Sequence, residues 1–306
     1  MLLSLCLAAL PLPTGEVAYM RGGSIYLGQL APAQEVKIAE GDFDRPLVWS
    51  PDGRRLVFWK HVSESWALHC WSPTGVADLT SAHAGDARSA TFSPDGRQIA
   101  FVSGEKGLCI INADGSEFRS LASDAHRDAA PCFLTGGKIA YSQQGEKDAK
   151  IIVIESASGR KVAEWEGLDP ATVNGSDIFY THSSGRGHCI FSRQLSGSEE
   201  KRLTPESSLA HRFTLNPNGL GMAYVDESGS QAKVVVHPFS TTSKILARIT
   251  GDAPRVLSWS GDGQHLAYAN GRRDSEEVWV VDVRENTREK IADGSWPAWR
   301  PTADDK

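Results

Sequence analysis

Three short stretches of this sequence combine serine and aspartate at a spacing that could do chemistry. Residues 49–58 read WSPDGRRLVF, residues 92–101 read FSPDGRQIAF and residues 259–268 read WSGDGQHLAY. Serine is a common nucleophile, and Asp-rich turns bind metal ions. The same residues also suit a tight turn, because proline presets φ, aspartate bonds its own backbone and glycine accepts a positive φ. A motif that recurs along one chain favours the turn, since many copies of one active site are not expected.

No other linear motif indicates catalysis or metal binding. The patterns GxSxG, HExxH, GxxxxGK[ST] and the EF-hand loop are absent. Residues 111–118, INADGSEF, alternate oxygen-bearing side chains as a calcium loop does, but the glycine comes too early and the final glutamate is missing, so a hairpin turn is expected. His182 and His188 share one loop with Arg186, yet a metal centre needs three or four ligands. We therefore expect no metal and no cofactor.

The turn motif belongs to a repeat that runs along the whole chain. Aligned on the residue that follows an apolar position, the copies are anchored at Ser50, Ser93, Thr135, Gly175, Asn216, Ser260 and Arg300. The anchors lie 40 to 44 residues apart. Each unit contains four short segments of alternating apolar and polar residues separated by turn residues, a pattern typical of four antiparallel strands.

Four strands in every 40 or so residues predict an all-β fold, a β-propeller. The last anchor has no strands after it, whereas the segment from about residue 16 supplies a second, third and fourth strand with no first. We expect the two chain ends to complete one shared blade, which closes the ring and removes free sheet edges. Seven blades are predicted, with six as the alternative if one degenerate unit is an excursion, and residues 15–306 are expected to form a single domain.

The stretches WSPDGRRLVF and FSPDGRQIAF and the closing PAWRP resemble the WD-like propeller repeats of the TolB type. The resemblance covers residues of about 16 to 301 and does not include the N-terminal α/β domain that TolB itself carries. TolB-like propellers occur in bacterial periplasmic proteins and as accessory domains of some peptidases. The resemblance implies the fold, and it implies little about function because many unrelated activities share this repeat.

In the aligned repeats, one position upstream of each turn is often basic. It lies four residues before the last residue ahead of the turn, and we call it the basic column. It reads Arg45, Arg88, Ala129, Asp169, His211, Arg255 and Ser295, with Arg127 and Arg212 close by. Residues that lead into the first strand of a blade lie at one mouth of the central channel. Loops on the same face hold Lys60, His61, Lys106, Arg186, His188, Arg272 and Arg273.

Two interpretations of this column stay open. Converging guanidinium groups would form a binding site for an anionic ligand or an acidic tail, made of Arg45, Arg88, Arg127, His211, Arg212 and Arg255. Alternatively, each base pairs locally with a nearby acid, for which Asp44, Asp86, Asp128 and Asp252 are the candidates.

Composition limits the classes of partner and the compartment. A net charge of −6 argues against a nucleic-acid partner. Residues 1–14 contain a short apolar run typical of a secretory signal, with a buried N-terminal strand as the alternative, and no segment has the length of a transmembrane helix. The cysteines other than Cys6 lack a CxxC spacing and are expected to be small buried apolar residues. We therefore expect a periplasmic or secreted monomer.

The leading functional hypothesis is a non-enzymatic binding or scaffolding propeller for a protein or an anionic ligand. The alternative is a polysaccharide lyase or hydrolase whose residues gather from several blades at the channel mouth. Such a site would leave no linear motif, so the sequence does not decide between the two.

Overall fold

The computed structural model describes residues 15–43, 45–83, 85–143, 145, 149–184, 187–240, 242–249, 252–273 and 275–302. Within these residues the chain forms seven antiparallel sheets of four strands each, arranged as a ring. This confirms an all-β propeller with seven blades rather than six. The apolar run of residues 1–14 lies outside the described residues.

The strands follow the chain in order, and the first three complete the last blade. They are β1 (Glu16–Arg21), β2 (Ser24–Gln29) and β3 (Gln34–Glu40). Blade I contains β4 (Val48–Trp49), β5 (Leu56–Val62), β6 (Ser65–Ser72) and β7 (Gly75–Asp78). Blade II contains β8 (Ala87–Phe92), β9 (Gln98–Ser103), β10 (Gly107–Asn112) and β11 (Arg119–Ala122). Blade III contains β12 (Cys132–Leu134), β13 (Lys138–Gln143), β14 (Lys150–Glu155) and β15 (Lys161–Glu166).

The second half of the ring repeats this order. Blade IV contains β16 (Leu168–Ala171), β17 (Asp177–Ser184), β18 (Gly187–Gln194) and β19 (Glu200–Arg202). Blade V contains β20 (Ala210–Leu215), β21 (Gly221–Asp226), β22 (Lys233–Pro238) and β23 (Lys244–Arg248). Blade VI contains β24 (Leu257–Trp259), β25 (His265–Asn270), β26 (Glu277–Asp282) and β27 (Arg288–Asp293). Blade VII contains β28 (Ser295–Trp299) as its innermost strand, followed outward by β1, β2 and β3.

The two chain ends close the ring as the sequence predicted. Strand β28 pairs antiparallel with β1, in a register that places Val17 opposite Trp299 and Ala18 opposite Ala298. The amide of Arg300 also donates to the carbonyl of Glu16 at 2.8 Å. These bonds give both ends a sheet partner, so blade VII has the same four strands as the other blades.

The core lies between the blades. Between blades I and II, for example, Trp59 and Leu68 pack with Phe92, Ile99 and Phe101, and all five side chains are buried. Each large apolar side chain that is fully buried contributes roughly 2–3 kcal/mol to folding. The positions of Phe92 and Ile99 agree with the inter-blade packing expected for the apolar residues that flank the turn motif.

The ring has two faces that differ in the connections they carry. We call the face with the turns between first and second strands, such as residues 50–55, the turn face. The opposite face, with the links between blades and the turns between second and third strands, such as residues 45–47 and 63–64, is the linker face. In the described residues no helix has the length and apolar character needed to cross a bilayer.

Candidate functional site

The serine and aspartate atoms of the turn motif are used by the turn itself. Ser93 Oγ donates to Asp95 Oδ1 at 2.6 Å and accepts the amide of Gln98 at 2.9 Å. Asp95 Oδ1 also accepts the amide of Arg97 at 3.1 Å, and Gly96 has a φ of 70°. Ser93 Oγ, the atom that a nucleophile would need, and Asp95 Oδ1 are thus both occupied inside one tight turn.

The other two copies of the motif have the same bonds. Ser50 donates to Asp52 at 2.6 Å, and Ser260 donates to Asp262 at 2.5 Å. In blade V, where the motif reads NPNG, Asn218 takes the place of the aspartate, and its Oδ1 accepts the amide of Leu220 at 2.8 Å. Asn216, at the serine position, accepts the amide of Asn218 through its Oδ1 at 3.1 Å. The motif is therefore part of the architecture, and it lies on the turn face.

The six basic residues that the sequence singled out all lie on the linker face, around the mouth of the channel. Arg45 precedes β4, Arg88 is in β8, Arg127 precedes β12, and Arg255 precedes β24. His211 and Arg212 are in β20. The innermost strands β8 and β20 have a β-bulge at this position, between Arg88 and Ala90 and between His211 and Thr214. Bulges of this kind redirect side chains at the end of a strand.

Arg88 and Arg127 come from neighbouring blades and meet at one carboxylate. Arg88 Nε donates to Asp86 Oδ2 at 2.9 Å, and Arg127 forms a short hydrogen bond to the same oxygen. Arg88 also contacts Asp128 at 3.3 Å. Burial alone would raise the pKa of Asp86, but the hydrogen bonds from Arg88 and Arg127 outweigh it and hold that pKa below its usual range. Two arginines and two aspartates thus form one charge network across blades II and III.

His211 and Arg212 form a second group with residues of blades IV and V. The His211 ring lies 5.4 Å from that of His188, between ring centroids. Arg212 donates to Glu227 Oε1 at 2.9 Å. Burial lowers the pKa of His211, and the charges of His188 and Arg212 act in the same direction while Glu227 opposes them.

Arg45 and Arg255 each lie over a tryptophan ring. The guanidinium of Arg45 is 5.0 Å from the ring centroid of Trp66, which His61 also approaches to 5.1 Å. The guanidinium of Arg255 is 4.2 Å from the ring of Trp296.

Arg255 also donates to Glu276 Oε2 at 2.9 Å, and the Glu276 side chain is only 8% exposed. A cleft of about 440 Å³ between blades VI and VII lies beside this group, lined among others by Arg21, Arg273, Glu276 and Asp293.

The column therefore does not make a continuous positive surface. Arg88, Arg127, Arg212 and Arg255 each form an ion pair with a carboxylate, as the local-pairing alternative proposed. Of the suggested acids, Asp86 and Asp128 take part and Asp252 accepts the amide of Arg273 instead. Asp44 lies outside the described residues, as does Arg186. The mouth combines both charges with aromatic rings.

Sequence reasoning missed several residues of this mouth. Trp66, Trp296 and Glu276 were not singled out, because each lies in a loop or at a strand end with no repeated counterpart. Asp169 was noted only as an exception in the basic column. It has a φ of 56° and burial raises its pKa to about 6, with His126 opposing the shift and Asp128 adding to it.

His, Cys, Asp and Glu side chains are the other groups of the described residues that could bind a metal or act as nucleophiles. Among the described residues, no group of three or more His, Cys, Asp or Glu side chains is placed to hold a metal ion. Four of the cysteines are buried free thiols, namely Cys70, Cys109, Cys132 and Cys189. Burial raises the pKa of Cys70 to about 11. A thiol with a raised pKa is a poor nucleophile at neutral pH.

Comparison with known proteins identifies the repeat and the fold. No protein-family model matches the chain. A stretch of 107 residues is 33% identical to the Tol-Pal system protein TolB of Anaeromyxobacter dehalogenans (strain 2CP-C), and the match spans 32% of this chain but only 23% of that relative.

Solved structures resemble the chain over nearly its whole length. TolB from Acinetobacter baumannii superposes with a TM-score of 0.64 at 18% identity, covering 96% of this chain and 84% of that one. An oligogalacturonate lyase in complex with manganese has a TM-score of 0.65 at 12% identity, covering 93% and 85%. A puromycin-hydrolysing peptidase of Mycobacterium tuberculosis has a TM-score of 0.60 at 16% identity, covering 97% and 55%.

At such low identities these structures establish the fold alone, and proteins with that fold include enzymes as well as TolB. The repeat sequence and the seven four-stranded blades together identify this chain as a seven-bladed β-propeller whose repeats resemble those of TolB.

Proposed function

We propose that this protein is a non-enzymatic, exported binding propeller whose linker face engages an acidic segment of a partner protein. The observation that carries the proposal is the pair of arginine–tryptophan contacts at the channel mouth, Arg45 over Trp66 and Arg255 over Trp296. They lie on blades VI, VII and I, which are consecutive in the ring.

Arginine and tryptophan are the residue types most enriched among the residues that dominate protein–protein binding energy. A guanidinium stacks through its flat face, whereas it binds carboxylates at its edge, so one arginine can make both contacts. A stacked arginine has also lost part of its rotamer freedom before binding, which lowers the entropic cost of fixing it in a complex. These properties suit the mouth to a polypeptide with aspartate or glutamate side chains.

The local likeness to a Tol-Pal system protein supports a protein partner and a periplasmic location. The mixed charge of the mouth supports specificity rather than non-specific attraction, because ion pairs such as Arg255–Glu276 would be misaligned by a partner with the wrong charge pattern.

The test is a pull-down from the native cell envelope with the purified protein as bait. The triple variant Arg45→Ala, Arg88→Ala and Arg255→Ala should lose the partner, with capture reduced at least tenfold by quantitative mass spectrometry. The matched control removes three arginines of the turn face, Arg54→Ala, Arg97→Ala and Arg284→Ala, and should capture the partner as the unmodified protein does. Equal capture by both triple variants would contradict the proposal.

The competing function, a polysaccharide lyase or hydrolase, is tested in parallel. The purified protein is incubated with oligogalacturonate, with and without Mn²⁺, and the ultraviolet absorbance of unsaturated uronate products is followed. Hydrolysis is followed separately by the release of reducing ends. Turnover that the linker-face variant abolishes would replace the binding proposal with an enzymatic one.

A further inference from the structure

One exposed position on the turn face breaks a rule that other blades obey. The residue after the turn glycine is exposed and polar in blades I, II, IV and VI, where it is Arg54, Arg97, Ser176 and Gln264. In blade V it is Leu220, which is 69% exposed, more than any other large apolar residue of the described chain. A single exposed leucine is common on protein surfaces, so Leu220 becomes informative only together with apolar neighbours.

The neighbour of Leu220 departs from the repeat in the same direction. The amide of Phe239 donates to the carbonyl of Leu220 at 2.9 Å. The same bond in blade II joins Ala113 to Arg97, and in blade VI it joins Val283 to Gln264. In blade IV the equivalent bond joins Leu195 to Ser176. Among these four blades, only blade V has a large apolar residue at both positions.

Phe239 also connects blade V to blade IV. Its ring stacks on Phe179 at 5.2 Å between centroids, with an interplanar angle of 10°. Phe179 is part of the wall of a cleft of about 530 Å³ on the turn face of blade IV. Leu220, Phe239, Phe179 and this cleft form one surface, which we call the IV–V patch.

The charged residues of the cleft have an acidic balance. The wall contains three carboxylates, Asp177, Glu199 and Glu200, and two bases, Arg193 and Lys201. Arg193 is already engaged, because its guanidinium lies 4.4 Å from the ring of Trp165 and donates to the carbonyl of Gly197 at 2.6 Å. Two of the carboxylates are engaged as well, since Asp177 accepts a hydrogen bond from Asn174 and Glu200 accepts one from Tyr180. All five groups keep their charge, so three carboxylates and two bases leave the wall with a formal charge of −1, which favours a cationic ligand over an anionic one.

We propose that the IV–V patch is a docking surface for an extended segment of a partner polypeptide that carries a large apolar side chain next to a lysine or arginine. The apolar side chain packs on Leu220 and Phe239, and the cation lies in the cleft beside Glu199 and Asp177. This interaction is separate from the linker face, because the two surfaces are on opposite faces of the ring.

The test is selection from a phage-displayed random heptapeptide library on the full protein. Peptides that bind should share a large apolar residue adjacent to lysine or arginine. A selected peptide, made synthetically and labelled, should bind Leu220→Gln at least tenfold more weakly than the unmodified protein in fluorescence polarisation. Glutamine is the residue at the equivalent position 264, so this variant is expected to fold. Glu199→Lys should weaken the same peptide and should relieve the preference for lysine or arginine.

The matched control is Val76→Gln, which removes an exposed apolar side chain from the outer strand of blade I, 49% exposed. Peptide binding should be unchanged in this variant. Acidic selected peptides, no enrichment, or equal weakening by Val76→Gln and Leu220→Gln would overturn the proposal. Dimerisation of the unmodified protein that Leu220→Gln abolishes, measured by analytical ultracentrifugation, would assign the patch to a second copy of this chain and would also overturn it.

Discussion

The two faces of this propeller are built from the same repeat, yet they differ in how closely each blade follows it. On the turn face, the three SPDG-like copies form the same bonds in three blades, with donor–acceptor distances that agree within a few tenths of an ångström. On the linker face, the equivalent column holds arginine, histidine, aspartate, alanine and serine, and its bonds differ from blade to blade.

The difference teaches where function lies in a repeat protein. A position that must close a turn in every blade has one good solution, so its residues recur. A position that binds something outside the ring has no reason to be the same in seven places. Departures from the repeat, such as Arg255 over Trp296 or the exposed Leu220, are therefore better markers of function than the motif that recurs.

The largest expected effect tests the part of the turn face that closes the ring. Gly53 has a φ of 65°, and a Cβ there would lie 2.1 Å from the carbonyl oxygen of Pro301. Gly53→Ala should reduce the free energy of unfolding by about 3 kcal/mol or more, from backbone strain and from the displaced chain end. Urea denaturation measures the change.

Gly96→Ala is the matched control for that clash. Gly96 has nearly the same φ, 70°, but the nearest atom to its Cβ would be 3.6 Å away. Only the strain of about 1–2 kcal/mol is expected. Equal destabilisation by the two variants would show that the contact with Pro301 does not matter for ring closure.

On the linker face, the ionised carboxylate of Asp169 should lower the free energy of unfolding at neutral pH, and this destabilisation should disappear in acid. Its folded-state pKa of about 6 lies above the ordinary value for aspartate, so the unfolded chain gains more from ionisation than the folded one. Asp169→Asn should therefore be more stable than the unmodified protein at pH 7.5 by about 1–2 kcal/mol, with the advantage lost as the pH falls from about 6 to 4. Asparagine tolerates the positive φ at this position. Urea denaturation at a series of pH values measures this, and a difference that does not depend on pH would contradict it.

Ser93→Ala asks whether the turn motif is architecture alone. Ser93 is 94% buried, and its hydroxyl group makes two hydrogen bonds. Loss of that hydroxyl group should therefore cost about 1–2 kcal/mol of stability. Partner capture in the pull-down should be unchanged. Ser116→Ala, in an exposed turn of the same blade, is the control and should cost about 0.5 kcal/mol or less. If Ser93→Ala lost the partner without losing stability, the motif would have a role in binding.

The fold could be predicted because its determinants are local. Alternating apolar residues, turn residues at a period of about 40 and the incomplete units at both ends specify strands, blades and closure without any knowledge of long-range contacts. The degenerate units also keep a turn, since Gly136 and Gly175 have positive φ values of 70° and 74°. The anchor in blade IV was misplaced by three residues, because Gly175 takes the place of the turn glycine and Thr172 makes the bond of the motif serine, donating to the carbonyl of Asp177 at 2.7 Å.

The candidate site could be predicted only in part, because its contacts join residues far apart in sequence. The column identified Arg45 and Arg255, but Trp66 and Glu276 lie 21 residues from them and have no motif. The network of blades II and III was more accessible. Arg127 and Asp86 are 41 residues apart, about one repeat, so contacts between neighbouring blades could have been sought at that spacing.

Asp86 should give the smallest effect, and its sign should be opposite to that of Asp169 on the same face. Hydrogen bonds from Arg88 and Arg127 hold the folded-state pKa of Asp86 below the ordinary value of about 3.9, so its carboxylate stabilises the protein above that pH. Asp86→Asn should cost about 1 kcal/mol at pH 7, since the pair is partly exposed. That cost should begin to fall below about pH 4, where the unfolded carboxyl group becomes protonated, and should vanish once the pH has passed the lower folded-state pKa of Asp86. Asp128→Asn, whose side chain is 69% exposed and contacts Arg88 at 3.3 Å, should change stability less. If Asp86→Asn and Asp169→Asn shifted stability in the same direction at pH 7, the two carboxylates would not differ in environment as their contacts require.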